Sequence, residues 1–346
     1  MASTKVAVAI LNWNGINYLQ SFLGKVCEYS LSDAEVWIID NASSDDSLSY
    51  VRKNHPQVKI VELDSNLGFA NGYNQGLKQI SAEYFILLNS DVEVTPGWIK
   101  PVIDFIESDD QLVAAQPLIL DQRKKDYFEH AGAAGGYIDK DGFPFCAGRI
   151  FDSFEKNHGQ YTENREVFWA SGASLFVNAH HYFESGGLDG DFFAHMEEID
   201  LCWRLKNRGF KIGVCGKSSV YHVGGGTLNK LDPKKTYLNF RNNLYLILKN
   251  DFDGFFALRI FRRLILDGIA ILRFLIEGKP AFVLAVLKAH FSFYKHFPKM
   301  YSKRLALREL ADNPNNHGRF RASILVHYFL KKQKHFAELP TDLFSK

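Results

Sequence analysis

Over the first 120 positions, short β-branched and aliphatic runs alternate with amphipathic helical stretches. VAVAILNW (6–13) predicts a buried strand and INYLQSFLGKVCEY (16–29) a helix. Strands follow at VWIID (36–40) and VKIVEL (58–63). Between them SDDSLSYVRKN (44–54) predicts a helix, with Ser44 or Asp45 placed to cap it. The pattern continues with a helix at 69–81, a strand at YFILLN (84–89), a helix at 97–108 and a strand at LVAAQPLIL (112–120). This rhythm predicts an α/β fold on a parallel, doubly wound sheet. Residues 121–168 break it, being glycine-rich around HAGAAGGYIDKDGF (130–143), and read as a long excursion near the active face. Strand and helix return at SLFVN (174–178) and 178–186. A helix is expected at 197–208, closed by Gly209, and a strand at FKIGVCG (210–216).

In such sheets ligands bind at the carboxyl ends of the strands. Three polar clusters fall there: Asn12-Trp13-Asn14-Gly15, Asp40-Asn41-Ala42-Ser43 and Asn89-Ser90-Asp91. Asp40, after a buried strand, is suited to accept from a pyrimidine N–H or a ribose hydroxyl, while Asn41 to Ser44 also suit a turn and cap. In NSDVE (89–93), Asp91 and Glu93 are two apart and would share one side of an extended segment. Oxygen ligands of this kind suit Mg²⁺ or Mn²⁺ on a diphosphate, although the same residue types also form ordinary turns. NLGFANGYNQG (66–76) places Gly68 where the backbone can approach a phosphate or ribose. It is not the G-x-G-x-x-G fingerprint, which disfavours a nicotinamide-binding domain.

In FFAHMEEIDLCWRLKNRGF (192–210), Glu197, Glu198 and Asp200 open a helix that ends in basic residues, and Asp200 can pair with Arg204. Helix-dipole complementarity accounts for the signs. It does not account for the preceding GGLDGDFF (186–193), which would set the acids at an opening, where one can act as a general base. His222, in VYHVGGGT (220–227), follows a strand-like segment beside three glycines and suits a metal or diphosphate contact, or a structural role.

Charge divides the chain. The net +2 sums about −11 over residues 1–225 and about +13 over 226–346. From about residue 229, long helices set apolar residues such as Phe255, Phe256, Phe261, Phe282, Phe291 and Phe297 beside Arg and Lys. This predicts either helices lying in a membrane interface or a bundle packed on the first domain. Nucleic acid fits such aromatic, apolar helices less well than lipid. The longest apolar stretch, LILDGIAILRFLI (264–276), is too short to span a bilayer and holds Asp267 and Arg273. The four cysteines form no CxxC pair, and MASTKVAVAILNWNG lacks a signal-peptide pattern. The expectation is a cytoplasmic protein with peripheral contact to the inner face of the cytoplasmic membrane.

Together the segments VAVAILNWNG, IIDNASSD, NLGFANGYNQG, LLNSDVEV, WASGASLFV, GGLDGDFFAHMEEIDLCWR, HVGGG and FRNNLYL resemble glycosyltransferase family 2, especially its bacterial rhamnosyltransferase-like branch. The resemblance spans about residues 5–247 in consistent order. It implies a GT-A fold, a Rossmann-like mixed sheet flanked by helices, over residues 1–228, with a basic helical extension over 229–346. It implies inverting transfer of a sugar from a nucleotide-diphosphate donor to a saccharide or lipid-linked hydroxyl in cell-surface polysaccharide synthesis. Donor contacts would come from Asn12, Asn14, Asp40, Asn41, Asn66, Gly68, Asn74 and Ser90. A divalent cation, Mg²⁺ or Mn²⁺, would be held by Asp91, with Glu93 beside it and His222 as a third contact. The base would be Glu198, where the family usually has Asp, or Glu197. Trp169, Ser171, Gly172 and Asp189 would line the acceptor region. A sugar-phosphate nucleotidyltransferase and a non-catalytic nucleotide- or saccharide-binding module are the competing readings.

Overall fold

The computed structural model describes residues 4–130, 132–224, 232–254 and 256–345. The expected domain boundary at 228/229, the glycines at 225 and 226, and Phe255 lie outside them. The strands are β1 Thr4–Asn12, β2 Glu35–Asp40, β3 Lys59–Glu62, β4 Ala82–Leu88, β5 Val92–Val94, β6 Leu112–Asp121 and β7 Gly136–Asp139. They continue as β8 Pro144–Cys146, β9 Arg149–Ile150, β10 Ser153–Phe154, β11 Arg165–Val167, β12 Ser174–Asn178, β13 Lys211–His222 and β14 Arg319–Phe320.

The main sheet runs β3-β2-β1-β4-β12-β6-β13-β11, with β5 on the far half of β13. β3, β2, β1 and β4 are parallel, as the strand–helix rhythm predicts. The sheet is nevertheless mixed rather than all-parallel, because β12 lies antiparallel between β4 and β6. Periodicity marks a buried strand without giving its direction. The reversal has a functional effect: it brings the start of β12, and the turn before it, to the carboxyl ends of β1, β2 and β4. β13 runs on to His222, well past the expected residue 216, with a register shift between Cys215 and Ser219. Alternate side chains of β1 pack on opposite faces: Ala7 and Ala9 in one core, Val6, Val8 and Ile10 in the other.

Residues 121–168 are not merely irregular. They carry a second sheet, β10-β9-β8-β7-β14, whose edge strand comes from the far end of the chain. Asp139 pins this return, accepting from the Ile324 N–H at 2.9 Å. The C-terminal region is therefore not purely a helical extension. Two other local expectations shift. The helix expected at 44–54 begins at Ser47; Asp45 instead accepts the Ser47 and Ile16 N–H groups, linking two loops. The four cysteines are free and buried.

The helix Pro233–Asn250 is part of the core, burying Leu238, Leu244, Leu246 and Ile247. It meets the helix Glu197–Asn207 through a buried charge. Asp200, which pairs with Arg204 at 2.8 Å as its spacing predicts, also receives Lys249 at 2.8 Å and Asn250 at 2.7 Å. Burial alone would push the Asp200 carboxyl up; Lys249 and Arg204 outweigh it and hold the group below the usual carboxylate range. Lys249 also pairs with Asp189 at 2.5 Å. Lys249→Met should therefore strand buried carboxylates and lower the unfolding free energy by about 3 kcal/mol in urea titration; an unchanged midpoint would contradict the network.

Candidate active site

The carboxyl edge of the sheet gathers the polar clusters, which are bonded to one another. Asn12 Nδ2 donates to Asp40 Oδ1 and to Ser43 Oγ, both at 3.0 Å, and its buried Oδ1 has no hydrogen-bond partner among the described residues. Asp40 also accepts the Ser43 N–H at 2.9 Å. Gly15 is required here, since a Cβ would lie 2.5 Å from Asn12 Oδ1. Asn14, at φ +52°, accepts the Ser44 N–H at 2.7 Å. Asn41 binds the next loop, donating to Asn66 Oδ1 and the Gly68 carbonyl and accepting from Leu67 N–H. Asn66 in turn accepts the Gly68 N–H at 2.9 Å. Ser90 is half-buried in the turn after β4. Asn74 departs from the expected donor group. Its amide is taken by Tyr182 and by both backbone groups of Leu188, so it fixes the turn before the acidic helix.

Strand register assembles a second cluster. Val92 of β5 is paired with His222 of β13, and the Val223 N–H donates to the Asp91 carbonyl at 3.1 Å. His222 Nε2 lies 3.1 Å from Asp91 Oδ1 and Nδ1 lies 3.1 Å from Glu129 Oε2. Burial alone would lower the imidazole pKa; the two carboxylates reverse that and push it up to about 10. Gly224, at φ +66°, leaves room for Glu129, whose Oε1 would be 2.4 Å from an added Cβ. Glu129 escaped the sequence reading because it precedes the glycine-rich excursion with no motif around it. It is delivered by the chain folding back on β6, its N–H donating to the Ile119 carbonyl at 3.0 Å.

Glu93 does not join this cluster. Asp91 lies in the turn and extended backbone begins only at Val92, so the same-side argument fails. Glu93 is clamped by Lys25 at 2.5 Å, Lys125 at 3.0 Å and Gln122 at 3.3 Å. Burial would raise its pKa, but Lys25, Lys125 and Gln122 lower it more.

The third cluster sits at the start of the helix Glu197–Asn207. Glu197 is buried and Glu198 half-buried, and among the described residues the buried Oε2 of each has no hydrogen-bond partner. Burial and the neighbouring Glu198 raise the Glu197 pKa well above its ordinary value. Burial pushes Glu198 up to about 7 against the opposing backbone N–H groups at the helix start. The side chain of Glu198 lies against Gly172, where an added Cβ would be 3.5 Å from its own Cβ. The same turn is tied to the Asp91 loop, since the Asn89 N–H donates to the Ala173 carbonyl at 3.0 Å. One turn thus bridges the Asp91 and Glu198 clusters.

The other expected acceptor residues are occupied. Trp169 is buried, its indole N–H donating to the Tyr137 carbonyl at 2.9 Å. Ser171 is buried, with its N–H on Gln116 Oε1 at 2.8 Å. Asp189 is held by Lys249 and by Lys303 at 2.6 Å. Each of the three is committed to a contact within the fold.

The backbone before Glu197 is strained. Phe193, His195 and Met196 have φ of +66°, +68° and +75°. Such residues cost about 1 kcal/mol or more each and persist only where their surroundings over-determine them. Asn242 does this: its buried amide reaches the carbonyls of Phe192 at 2.9 Å and of Ala194 and His195 at 2.8 Å. Arg241 adds the Phe192 carbonyl at 2.9 Å. Two asparagines within a core helix were the available signal, and the sequence reading gave them no role.

Residues 7–168 match the family model for glycosyl transferase family 2. The N-acetylglucosaminyl-diphospho-decaprenol L-rhamnosyltransferase of Mycobacterium tuberculosis is 23% identical over 251 residues, 68% of this chain and 81% of that protein. The mannosyltransferase PcManGT from Pyrobaculum calidifontis, solved with GDP-Man and Mn²⁺, superposes at TM-score 0.53 and 14% identity, over 90% of this chain and 87% of that one. GalNAc-T7, solved with UDP, GalNAc and Mn²⁺, superposes at TM-score 0.53 and 17% identity, over 72% of this chain and 48% of that one. The fold is GT-A. Residues 7–168, a little under half of the chain, form a glycosyl transferase family 2 domain, and the protein is an enzyme that transfers sugars. That sets aside the nucleotidyltransferase and binding-module readings.

Asn242→Ala should free three buried carbonyls. Amides of 193–198 are expected to exchange at least about tenfold faster than in the wild type, with global stability lower by about 2 kcal/mol. Unchanged exchange there would remove Asn242 from this role.

Proposed function

We propose that this enzyme is an inverting transferase that moves a sugar from a nucleotide-diphosphate donor to a hydroxyl of a saccharide or lipid-linked acceptor in polysaccharide synthesis. The observation that carries the reading is Glu198: a half-buried residue whose buried Oε2 has no hydrogen-bond partner among the described residues, a pKa raised to about 7, and one turn between it and the Asp91 cluster. A group titrating there can take a proton near neutral pH and release it again. Glu197, buried and with its pKa raised well above the ordinary value, is the weaker candidate. The neighbouring solved structures with Mn²⁺ lend support to divalent-cation use, as does the lipid-linked acceptor in the name of the mycobacterial relative to a lipid-linked acceptor here.

The donor base and ribose would meet Asp40 and the unpartnered Asn12 Oδ1, in a frame that Asn14, Asn41 and Asn66 keep in place. Exposed Trp13 offers a stacking face beside them. A divalent cation fits the second cluster chemically. Asp91 and Glu129 are buried carboxylates facing one imidazole, a set that calls for positive charge. Asp91 oxygen and His222 Nε2 would hold it, with Glu129 fixing the ring through Nδ1–H. When bound, the cation offsets the charge that builds on the departing diphosphate. The acceptor oxygen attacks the anomeric carbon from the side opposite the diphosphate, and Glu198 receives its proton.

Glu198 must be ionised to act, so kcat/KM should fall about tenfold per pH unit below roughly 7. Glu198→Gln should retain donor binding by calorimetry yet lose about 10²-fold or more in transfer; unchanged turnover would reject the assignment. Glu129→Gln should weaken Mn²⁺ binding, read by electron paramagnetic resonance without donor, by about 10- to 100-fold. Wild-type affinity in that variant would leave Glu129 outside the metal site.

A further inference from the structure

The helices Phe256–Ile276 and Pro280–Glu309 form a hairpin turned through Glu277, Gly278 and Lys279. Phe274 and Phe282 meet across the turn at 5.4 Å. The polarity of the first helix is inverted. Its inward face buries Arg263 and Asp267, each 2% exposed and paired at 2.9 Å, with His290 of the second helix 2.9 Å from Asp267. Its outward face carries Leu258, Phe261, Ile265, Ile269, Leu272 and Ile276. Their spacing of three and four makes one continuous stripe. The second helix continues the surface with Leu284, Leu287, Phe291 and Tyr294 at the same spacing, while Ala285, Val286, Ala289 and Phe293 face inward. Exposure reaches 79% at Ile276 and 72% at Phe291.

A contiguous apolar face of this length is costly in water and marks a contact surface. Its surroundings name the occupant. Residues 256–309 contain eleven Lys or Arg against three Asp or Glu. Exposed Lys288 and Lys295 each follow a residue of the apolar stripe by one position. Arg273, 63% exposed, stands beside Leu272. Apolar side chains flanked by cations match a bilayer interface, where acyl chains meet anionic headgroups. Among the described residues no helix is long and apolar enough to cross a membrane, so the hairpin would lie along the surface.

We infer that the outward face of this hairpin docks on an anionic lipid surface, lying in the interface with its lysines and arginines at the headgroups. The hairpin is joined to the acidic loop, because Lys299 pairs with Asp191 at 2.6 Å and Lys303 with Asp189 at 2.6 Å. Docking would therefore hold the region around the proposed base at a fixed distance from the bilayer. The inference rests on the hairpin itself. It deepens the proposed function by giving the lipid-linked class of acceptor a physical reason.

The test is co-sedimentation of the full chain with large vesicles of phosphatidylcholine alone and of phosphatidylcholine mixed with phosphatidylglycerol. Partition into the mixed vesicles should exceed the neutral ones by about tenfold or more and weaken as salt is raised. Ile265→Glu with Ile269→Glu should lower partition about tenfold or more, with circular dichroism and Mn²⁺ binding unchanged, since both residues point away from the core. Lys288→Glu with Lys295→Glu should abolish the anionic preference. Equal partition into both vesicles, or wild-type partition by the Ile265/Ile269 variant, would overturn the inference. So would a stable wild-type dimer by light scattering that this variant turns into a monomer, because the face would then cover a second copy. Vesicle binding without sugar transfer would uphold the docking surface and count against the proposed function alone.

Discussion

Asp200 imposes the constraint on which the catalytic half of the molecule is organised. A carboxylate with no exposed surface, one turn into a helix, is tolerated only if cations and donors come to it. Arg204 comes from its own helix; Lys249 and Asn250 come from Pro233–Asn250. The two helices must therefore pack in one register. That register places Asn242, two turns back from Lys249, under the carbonyls of the 192–195 loop. A buried charge of little net value to stability thus specifies where Glu198 points.

The loop then stores what the helix pair holds. Three non-glycine residues at positive φ, Phe193, His195 and Met196, would relax if Asn242 and Arg241 released the carbonyls around them. Held as it is, the loop presents the helix N-terminus with Glu197 and Glu198 side by side in partial burial. Two carboxyls so close cannot both ionise readily, and burial raises both, Glu197 well above its ordinary value and Glu198 up to about 7. At the second cluster two carboxylates instead share one imidazole, His222 between Asp91 and Glu129, as Asp189 and Asp200 share Lys249.

Much of this was legible in the sequence where the signal is local. Strand ends carry the polar clusters, so Asn12, Asp40 and Asp91 fall at the carboxyl edge as expected, and the Asp200–Arg204 pair follows from helical spacing. What escaped depends on contacts between distant segments. The direction of β12 leaves no periodic trace, yet it sets the 171–173 turn beside Glu198. Glu129 reaches His222 across 93 residues of chain. Glu93 matched its expected role by spacing and lost it because the extended strand starts one residue after Asp91. Asn74, Trp169 and Asp189 occur in the resembling segments, but each is committed to holding a turn or a helix. A motif match cannot tell residues that touch substrate from those that position them.

The C-terminal region shows the same limit from the other side. Its charge and aromatic content leave open whether it packs on the domain or meets lipid, and the folded chain divides the two answers between helices. Pro233–Asn250 is core, with Lys249 turned inward on two aspartates. The hairpin after it places Arg263 and Asp267 inside and isoleucine outside, an arrangement that composition alone cannot reveal because inward and outward residues are averaged. Lys299 and Lys303 connect these roles. They leave the basic rim of the hairpin to neutralise Asp191 and Asp189, so the charges that hold the loop before Glu198 are drawn from the same helix that carries the apolar surface. These ion pairs tie the helix that carries the apolar surface to the loop before Glu198.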